Sequence, residues 1–108
     1  MVDVWELHEA AMELVDKADN ASSREEAHCL LIQAFELEKE AAIELKETIE
    51  MSIVRSLIYI QAINLGVRLG RFEDAQLLSQ MADSGYIHPD FTDAIRSYQE
   101  KLSLTIEA

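Results

Sequence analysis

The sequence contains few of the residues that turns and loops use. Its 108 residues include three glycines and one proline, and 49% of them are hydrophobic. Long segments rich in Ala, Leu, Glu, Ile and Gln favour helix over strand. A chain of this length has room for one continuous core and is too short for two independent cores. The sequence therefore predicts an all-α fold in a single domain, residues 1–108.

The sequence also lacks the usual marks of export and of membrane insertion. Its one cysteine, Cys29, has no partner for an internal disulfide. No apolar run reaches the roughly 18 residues that a membrane-spanning helix requires. The first ten residues, MVDVWELHEA, have neither the basic start nor the apolar centre of a signal peptide. We therefore expect a cytoplasmic protein that does not bind membranes.

Positive charge is scarce and unevenly distributed. The net charge is −12, and residues 1–50 hold 14 acidic side chains against 4 basic ones. Residues 51–108 hold 7 acidic and 5 basic side chains. An acidic surface repels phosphates and anionic headgroups, which argues against nucleic acid and membranes as partners. A basic peptide or protein is the better candidate.

Apolar residues recur at three- and four-residue steps along most of the chain. This period predicts four to five antiparallel helices, stacked as two helical hairpins plus a C-terminal capping helix. The predicted helices are Val4 to Ala18, about Arg24 to Lys46, residues 53–69, Phe72 to Ser84, and a last one from Pro89 towards Ala108. The break between the second and third helices is the least defined, with Thr48 and Ser52 as alternative starting residues.

Turn residues separate the predicted helices. In the segment DNASS, Asn20 is a candidate left-handed cap, and Ser22 or Ser23 can cap the second helix. Glu25 and Glu26 each follow one of these serines by three residues, which is the spacing of a capping box. Gly70 is expected to close the third helix in a left-handed conformation.

Two segments of the sequence look alike. EEAHCLLIQA at 25–34 and EDAQLLSQMA at 73–82 share two acids, an Ala, a Leu three residues later and an Ala seven residues later. Over about residues 5–85 this pattern resembles the tetratricopeptide repeat. The positions that match its turn and its small contact residues are Gly70, Phe72, Ala75 and Ala82, with Ala27, Ala34 and Leu37 in the first hairpin.

The match is incomplete. The offset of 48 residues exceeds the family's 34, the first helices lack the paired aromatic and Gly, and no Pro follows Ala34. The hairpins are also similar to the three-helix microtubule-interacting-and-transport domain. The hairpins of that domain share the Glu-Ala pattern of these helices.

The resemblance to tetratricopeptide domains implies a partner-binding groove, because the first helix of each hairpin lines a concave surface in that family. The residues it places there are Glu9, Met12, Asp16, Leu57, Ile60, Asn64 and Arg68. Such a groove has an apolar floor and an acidic wall, which suits an amphipathic or basic helix. In that family, basic residues lining the groove bind the C-terminal carboxylate of a peptide. This groove has Leu57 and Ile60 instead, so we do not expect it to bind a carboxylate.

Other functions remain open at this point. The apolar third helix contains Ile53, Val54, Leu57, Ile58, Ile63 and Leu65, which are either core residues or partly an interface. A symmetric copy of the chain can cover the same strip, giving a homodimer. A metal or small-molecule site is a further alternative.

The sequence offers little for catalysis or cofactor binding. Glu25 and His28 form the Glu-x-x-His step of di-iron bundles, but the chain has no second copy of it. Cys29 is expected in the core or at its boundary, and Glu36, Glu40 and Glu44 on a solvated face. We find no nucleophile elbow and no phosphate-binding loop, and therefore expect neither an enzyme nor a cofactor.

Overall fold

Five helices make up most of the chain that this computed structural model describes, which comprises residues 3–45, 52–85 and 87–107, apart from the side chains of Ser52 and Glu107. The helices are α1 (Val4–Asp19), α2 (Arg24–Glu44), α3 (Ser52–Arg68), α4 (Phe72–Asp83) and α5 (Pro89–Glu107). Those three ranges contain no strand. The predicted all-α fold is confirmed, with the described helix ends within two residues of the predicted ones.

The start of α2 resolves the alternatives for its cap. Ser23 Oγ accepts a hydrogen bond from the backbone N–H of Glu26 at 3.1 Å. The Glu26 carboxylate in turn accepts hydrogen bonds from the backbone N–H and the hydroxyl of Ser22, at 3.2 and 3.0 Å. Ser23 and Glu26 therefore form the capping pair. At the other end of the helix, the predicted start of α3 at Thr48 lies outside the described residues.

The two predicted left-handed residues behave differently. Gly70 has φ +75° and closes α3, because the backbone N–H of Arg71 donates to the Gly66 carbonyl at 2.8 Å. Asn20 has φ −106°, so its predicted left-handed cap is wrong. Its side-chain amide instead donates to the Asp16 carbonyl at 2.8 Å and satisfies the helix end without a strained backbone.

The helices form two layers. Helix α2 packs against α1 and α3, and α4 packs against α3 and α5. Since consecutive helices are antiparallel, α1, α3 and α5 run parallel in one layer, and α2 and α4 form the other. The overall dimensions of 41 × 40 × 22 Å agree with this arrangement, because two stacked helices of about 10 Å diameter give a slab of that thickness.

Small residues allow the layers to approach closely. A Cβ on Gly66 of α3 would lie 3.1 Å from the Phe35 ring of α2 and 3.2 Å from the Ala75 Cβ of α4. Ala75 and Ala82 are both fully buried. Ala75 therefore lies against α3, and α3 lies against both helices of the second layer.

A buried arginine joins α3 to the end of α4. Arg55 donates from Nη1 to the Ala82 carbonyl at 3.0 Å and from Nη2 to the Met81 carbonyl at 2.9 Å. The last turn of α4 has no basic residue of its own, so this guanidinium supplies the positive charge that a helix C-terminus favours. The neighbouring hydroxyl of Ser56 accepts a hydrogen bond from the backbone N–H of His88, just before α5.

None of the helices in the described ranges combines the length and the apolar character that crossing a membrane requires.

Candidate partner-binding face

One side of the α1, α3 and α5 layer carries three parallel rows of side chains. Residues three or four positions apart lie on the same side of a helix, so each row forms a stripe. The stripes are Trp5, Glu9, Met12, Asp16 and Asp19 on α1; Ile53, Leu57, Ile60, Asn64 and Arg68 on α3; and Ala94, Tyr98 and Lys101 on α5. We call these three stripes together the odd-helix face.

Two contacts between helices place the α3 stripe between the other two. Arg68 Nη2 lies 2.9 Å from Asp19 Oδ1, which joins the C-terminal ends of α3 and α1. On the other side, the Tyr98 hydroxyl of α5 donates to Asn64 Oδ1 of α3 at 3.4 Å. Helix α1 packs chiefly against α2, so the ion pair marks where the α1 stripe approaches α3.

The centre of the odd-helix face exposes apolar side chains. Ile53 is 53% exposed and Leu57 is 38% exposed, and they lie one helical turn apart. Ile60, one further turn along, is half-buried and packs against the core. By contrast Ile58, Ile63 and Leu65 of the same helix are buried. The third helix is therefore core on most sides and surface on this one.

The two walls of the face differ in charge. On α1, Glu9 and Asp16 are exposed and Met12 is half-buried. On α5, Ala94 and Lys101 are exposed, and together with Ser97 and Tyr98 they line a concavity of about 240 Å³. The face thus has an acidic wall, an apolar floor and a second wall that includes a lysine. Sequence reasoning missed the α5 wall.

A buried carboxylate lies behind the α1 stripe. Both carboxylate oxygens of Glu38 on α2 are 2.9 Å from Nδ1 of His8 on α1. Glu38 is fully buried, and this burial raises the pKa of its carboxyl, while the hydrogen bond and the charge of His8 act in the opposite direction. The His8 ring in turn contacts Trp5 edge to face, with the ring centroids 5.9 Å apart and the planes at 75°.

The sequence contained a signal for this pair. Glu38 follows Ala34 by four residues and precedes Ala41 by three, so it lies on the apolar stripe of α2. The predicted solvated acids Glu36, Glu40 and Glu44 are exposed, and Glu36 also pairs with Arg71 at 2.9 Å. A carboxylate at a core position between exposed ones indicates a buried partner from another helix.

The alternative sites of α2 do not come together. Glu25, His28 and Cys29 are all exposed, so the expectation that Cys29 is a core or boundary residue is wrong. Cys29 lies two residues before the buried Leu31. Two residues correspond to a rotation of about 200° around the helix axis, so the Cys29 side chain points to solvent. Among the described residues, no group of three His, Cys, Asp or Glu side chains is placed to hold a metal ion.

Comparisons with known proteins add no family. A scan of protein-family models, a search of curated proteins and a search of solved structures each found no match. We therefore infer the function from the geometry and chemistry of the described residues.

Proposed function

We propose that this chain is a non-catalytic protein-interaction module of the cytoplasm that binds an amphipathic, basic helix of another protein on its odd-helix face. The proposal depends most on the exposure of Ile53 and Leu57 at the centre of that face. We also propose that the domain is tetratricopeptide-like. The parallel placement of α1, α3 and α5 in one layer supports this part of the proposal.

The apolar floor supports binding of a helix. Ile53 and Leu57 are adjacent on α3, and Ile60 continues their row. Single exposed apolar residues are common on protein surfaces, whereas a contiguous row of them is typical of an interaction site. An amphipathic helix presents apolar side chains at the same three- and four-residue steps, so it can lie along this row.

The charge of the face supports a basic partner. Glu9 and Asp16 are exposed on the α1 wall, and the whole chain carries a net charge of −12. Lysine or arginine side chains flanking the partner's apolar stripe would meet these carboxylates. A second copy of the chain would bring the same net negative charge, and the two copies would repel each other at long range. We therefore favour a different protein over a homodimer.

A designed peptide provides a direct test. The probe is a fluorescein-labelled Leu/Lys peptide of about 18 residues, or five helical turns, with leucine at three- and four-residue steps. The comparison peptide replaces every lysine with glutamate. Fluorescence anisotropy should show saturable binding of the Leu/Lys peptide and none of the Leu/Glu peptide. Absence of binding of the Leu/Lys peptide would contradict the proposal.

Two double variants locate the binding surface. Ile53→Gln with Leu57→Gln removes the apolar floor, and Leu77→Gln with Leu104→Gln changes two leucines that are 56% and 71% exposed on α4 and α5. Neither pair replaces a buried residue, so both variants should fold. We expect the first to abolish binding of the Leu/Lys peptide and the second to leave it unchanged. Equal effects would show that the peptide binds any exposed leucine.

A further inference from the structure

We propose that Trp5 and Glu9 form a subsite for one lysine or arginine side chain of the bound helix. This inference rests on the proposed function and adds the position at which the partner's positive charge is recognised. The cation would lie against the indole ring of Trp5 and pair with the Glu9 carboxylate. Trp is the aromatic side chain that attracts cations most strongly.

The placement of the two residues supports this subsite. They are four positions apart on α1, which makes them surface neighbours with Cβ atoms about 5–6 Å apart. Both are exposed, and Trp5 leaves 48% of its surface open. They belong to the same α1 stripe as Asp19, whose contact with Arg68 fixes that side of α1 towards α3. A cation held there remains next to the apolar floor.

His8 and Glu38 position the indole ring. His8 lies between Trp5 and Glu38. Its ring contacts the Trp5 ring on one side and is hydrogen-bonded to both oxygens of the buried Glu38 on the other. A carboxylate with no exposed surface is costly to bury, and apolar residues of similar size are often as stabilising. A role in holding His8 and Trp5 explains a carboxylate at this core position. Glu38 is therefore a positioning residue and does not touch the partner.

The same Leu/Lys peptide tests the subsite through three variants. Trp5→Leu removes the aromatic ring and keeps an apolar side chain, and should weaken binding about two- to fivefold. Glu9→Gln should weaken binding and reduce its dependence on salt, because one exposed charge pair is lost. The control is Glu40→Gln, an exposed acid of α2 that lies outside the odd-helix face, which should have a smaller effect on both measurements.

Trp5 also gives a spectroscopic readout, since the chain has one tryptophan. Its fluorescence should change on binding of the Leu/Lys peptide. Glu38→Gln should alter the emission of the free protein, because the contact between His8 and Trp5 changes. A purely structural role of Glu38 would lower stability and leave the Trp5 emission of the folded protein unchanged.

The outcomes separate this inference from the function on which it rests. Normal affinity in Trp5→Leu and Glu9→Gln, with binding lost in Ile53→Gln/Leu57→Gln, would overturn the subsite and leave the proposed function intact. Failure of the wild-type protein to bind the Leu/Lys peptide would overturn both. Loss of affinity in Glu40→Gln as large as in Glu9→Gln would show general attraction by the negative charge of the protein and overturn the specific subsite.

Discussion

Glu38 of α2 and His8 of α1 form a hydrogen-bonded pair at 2.9 Å in which the carboxylate is fully buried. The pair joins the two helices of the first hairpin directly behind the α1 stripe. Because His8 also contacts Trp5, a residue of the core helps to place a residue of the surface. Protonation of the Glu38 carboxylate should therefore affect the stability of the domain and the position of Trp5 on the odd-helix face.

Glu38 should make stability depend on pH. Burial raises the folded-state pKa of its carboxyl above the ordinary value of 4.5, so the folded state holds its proton more tightly than the unfolded state. The contribution of Glu38 to the unfolding free energy is then complete below pH 4.5 and is lost as the pH rises through the folded-state pKa. Glu38→Gln removes this pH-dependent contribution, because glutamine does not titrate.

Urea unfolding of the wild type and of Glu38→Gln from acidic to neutral pH checks this predicted pH dependence. The difference in unfolding free energy between Glu38→Gln and wild type should move in favour of the variant as the pH rises above 4.5, and then level off. The many exposed acids are common to both proteins and cancel in the difference. Parallel curves would contradict a raised pKa at Glu38.

Arg55 should stabilise the fold through its hydrogen bonds to the end of α4. Its guanidinium donates to the Ala82 and Met81 carbonyls at the end of α4, and hydrogen bonds to a charged group contribute about 1.5–3 kcal/mol each. Arg55→Met should lower the unfolding free energy by about 2 kcal/mol or more. Arg96→Met is the matched control at an exposed position of α5, with an expected change of about 0.5 kcal/mol or less. Similar losses in the two variants would contradict this role of Arg55.

Gly70 should resist substitution because of its backbone and not because of crowding. Its φ is +75°, and a Cβ added there would meet no atom within 4 Å. Gly70→Val should therefore cost about 1–2 kcal/mol, which is the strain of a side chain in the left-handed region. Gly70→Asn should cost less, because asparagine tolerates that region. Thermal unfolding of the three proteins gives the order, and an unchanged midpoint in Gly70→Val would contradict it.

Ala75 should tolerate no larger side chain. It is fully buried, and its Cβ lies 3.2 Å from where a Cβ on Gly66 would be. Ala75→Leu should lower the unfolding free energy by about 1–3 kcal/mol through overpacking between α4 and α3. Ala94→Leu places the same side chain at an exposed position of α5 and should have little effect. A well-folded Ala75→Leu variant of normal stability would mean that α3 and α4 pack more loosely than described.

The helices were predictable because their apolar stripes are long and regular. The end of α3 at Gly70 and the buried positions Ala75, Leu78 and Ala82 all follow from local spacing. Asn20 was mispredicted because a side-chain hydrogen bond to Asp16 competes with the left-handed conformation. Local sequence does not reveal which of these two solutions a helix end adopts.

The candidate site was predictable in part. The helical spacing of α1 leaves Glu9 and Asp16 for solvent, and both are exposed. Spacing left Leu57 open between core and interface, and it is 38% exposed. The α5 wall was missed because the contact of Tyr98 with Asn64 joins residues 34 positions apart. The partners of Glu38 and Arg55 likewise come from other helices, so local spacing does not identify those partners, although it places Glu38 on the apolar stripe of α2.

Self-association is the main competing account of the exposed strip. Sedimentation velocity of the wild-type protein at micromolar concentration should show a monomer, because the net charge of −12 opposes pairing of identical chains. A dimer that Ile53→Gln/Leu57→Gln converts to a monomer would replace the proposed partner with a second copy. A dimer unaffected by that change would place the contact on another surface.

Amide chemical-shift mapping during titration with the Leu/Lys peptide tests the central claim most directly. We predict that the shifted amides cluster on the odd-helix face, around Trp5 and Glu9 of α1, Ile53 and Leu57 of α3 and Tyr98 of α5. The exposed residues of α2 and α4, such as Glu40 and Leu77, should not shift. Shifts concentrated on α2 and α4, or spread evenly over all acidic surfaces, would contradict a partner-binding site on the odd-helix face.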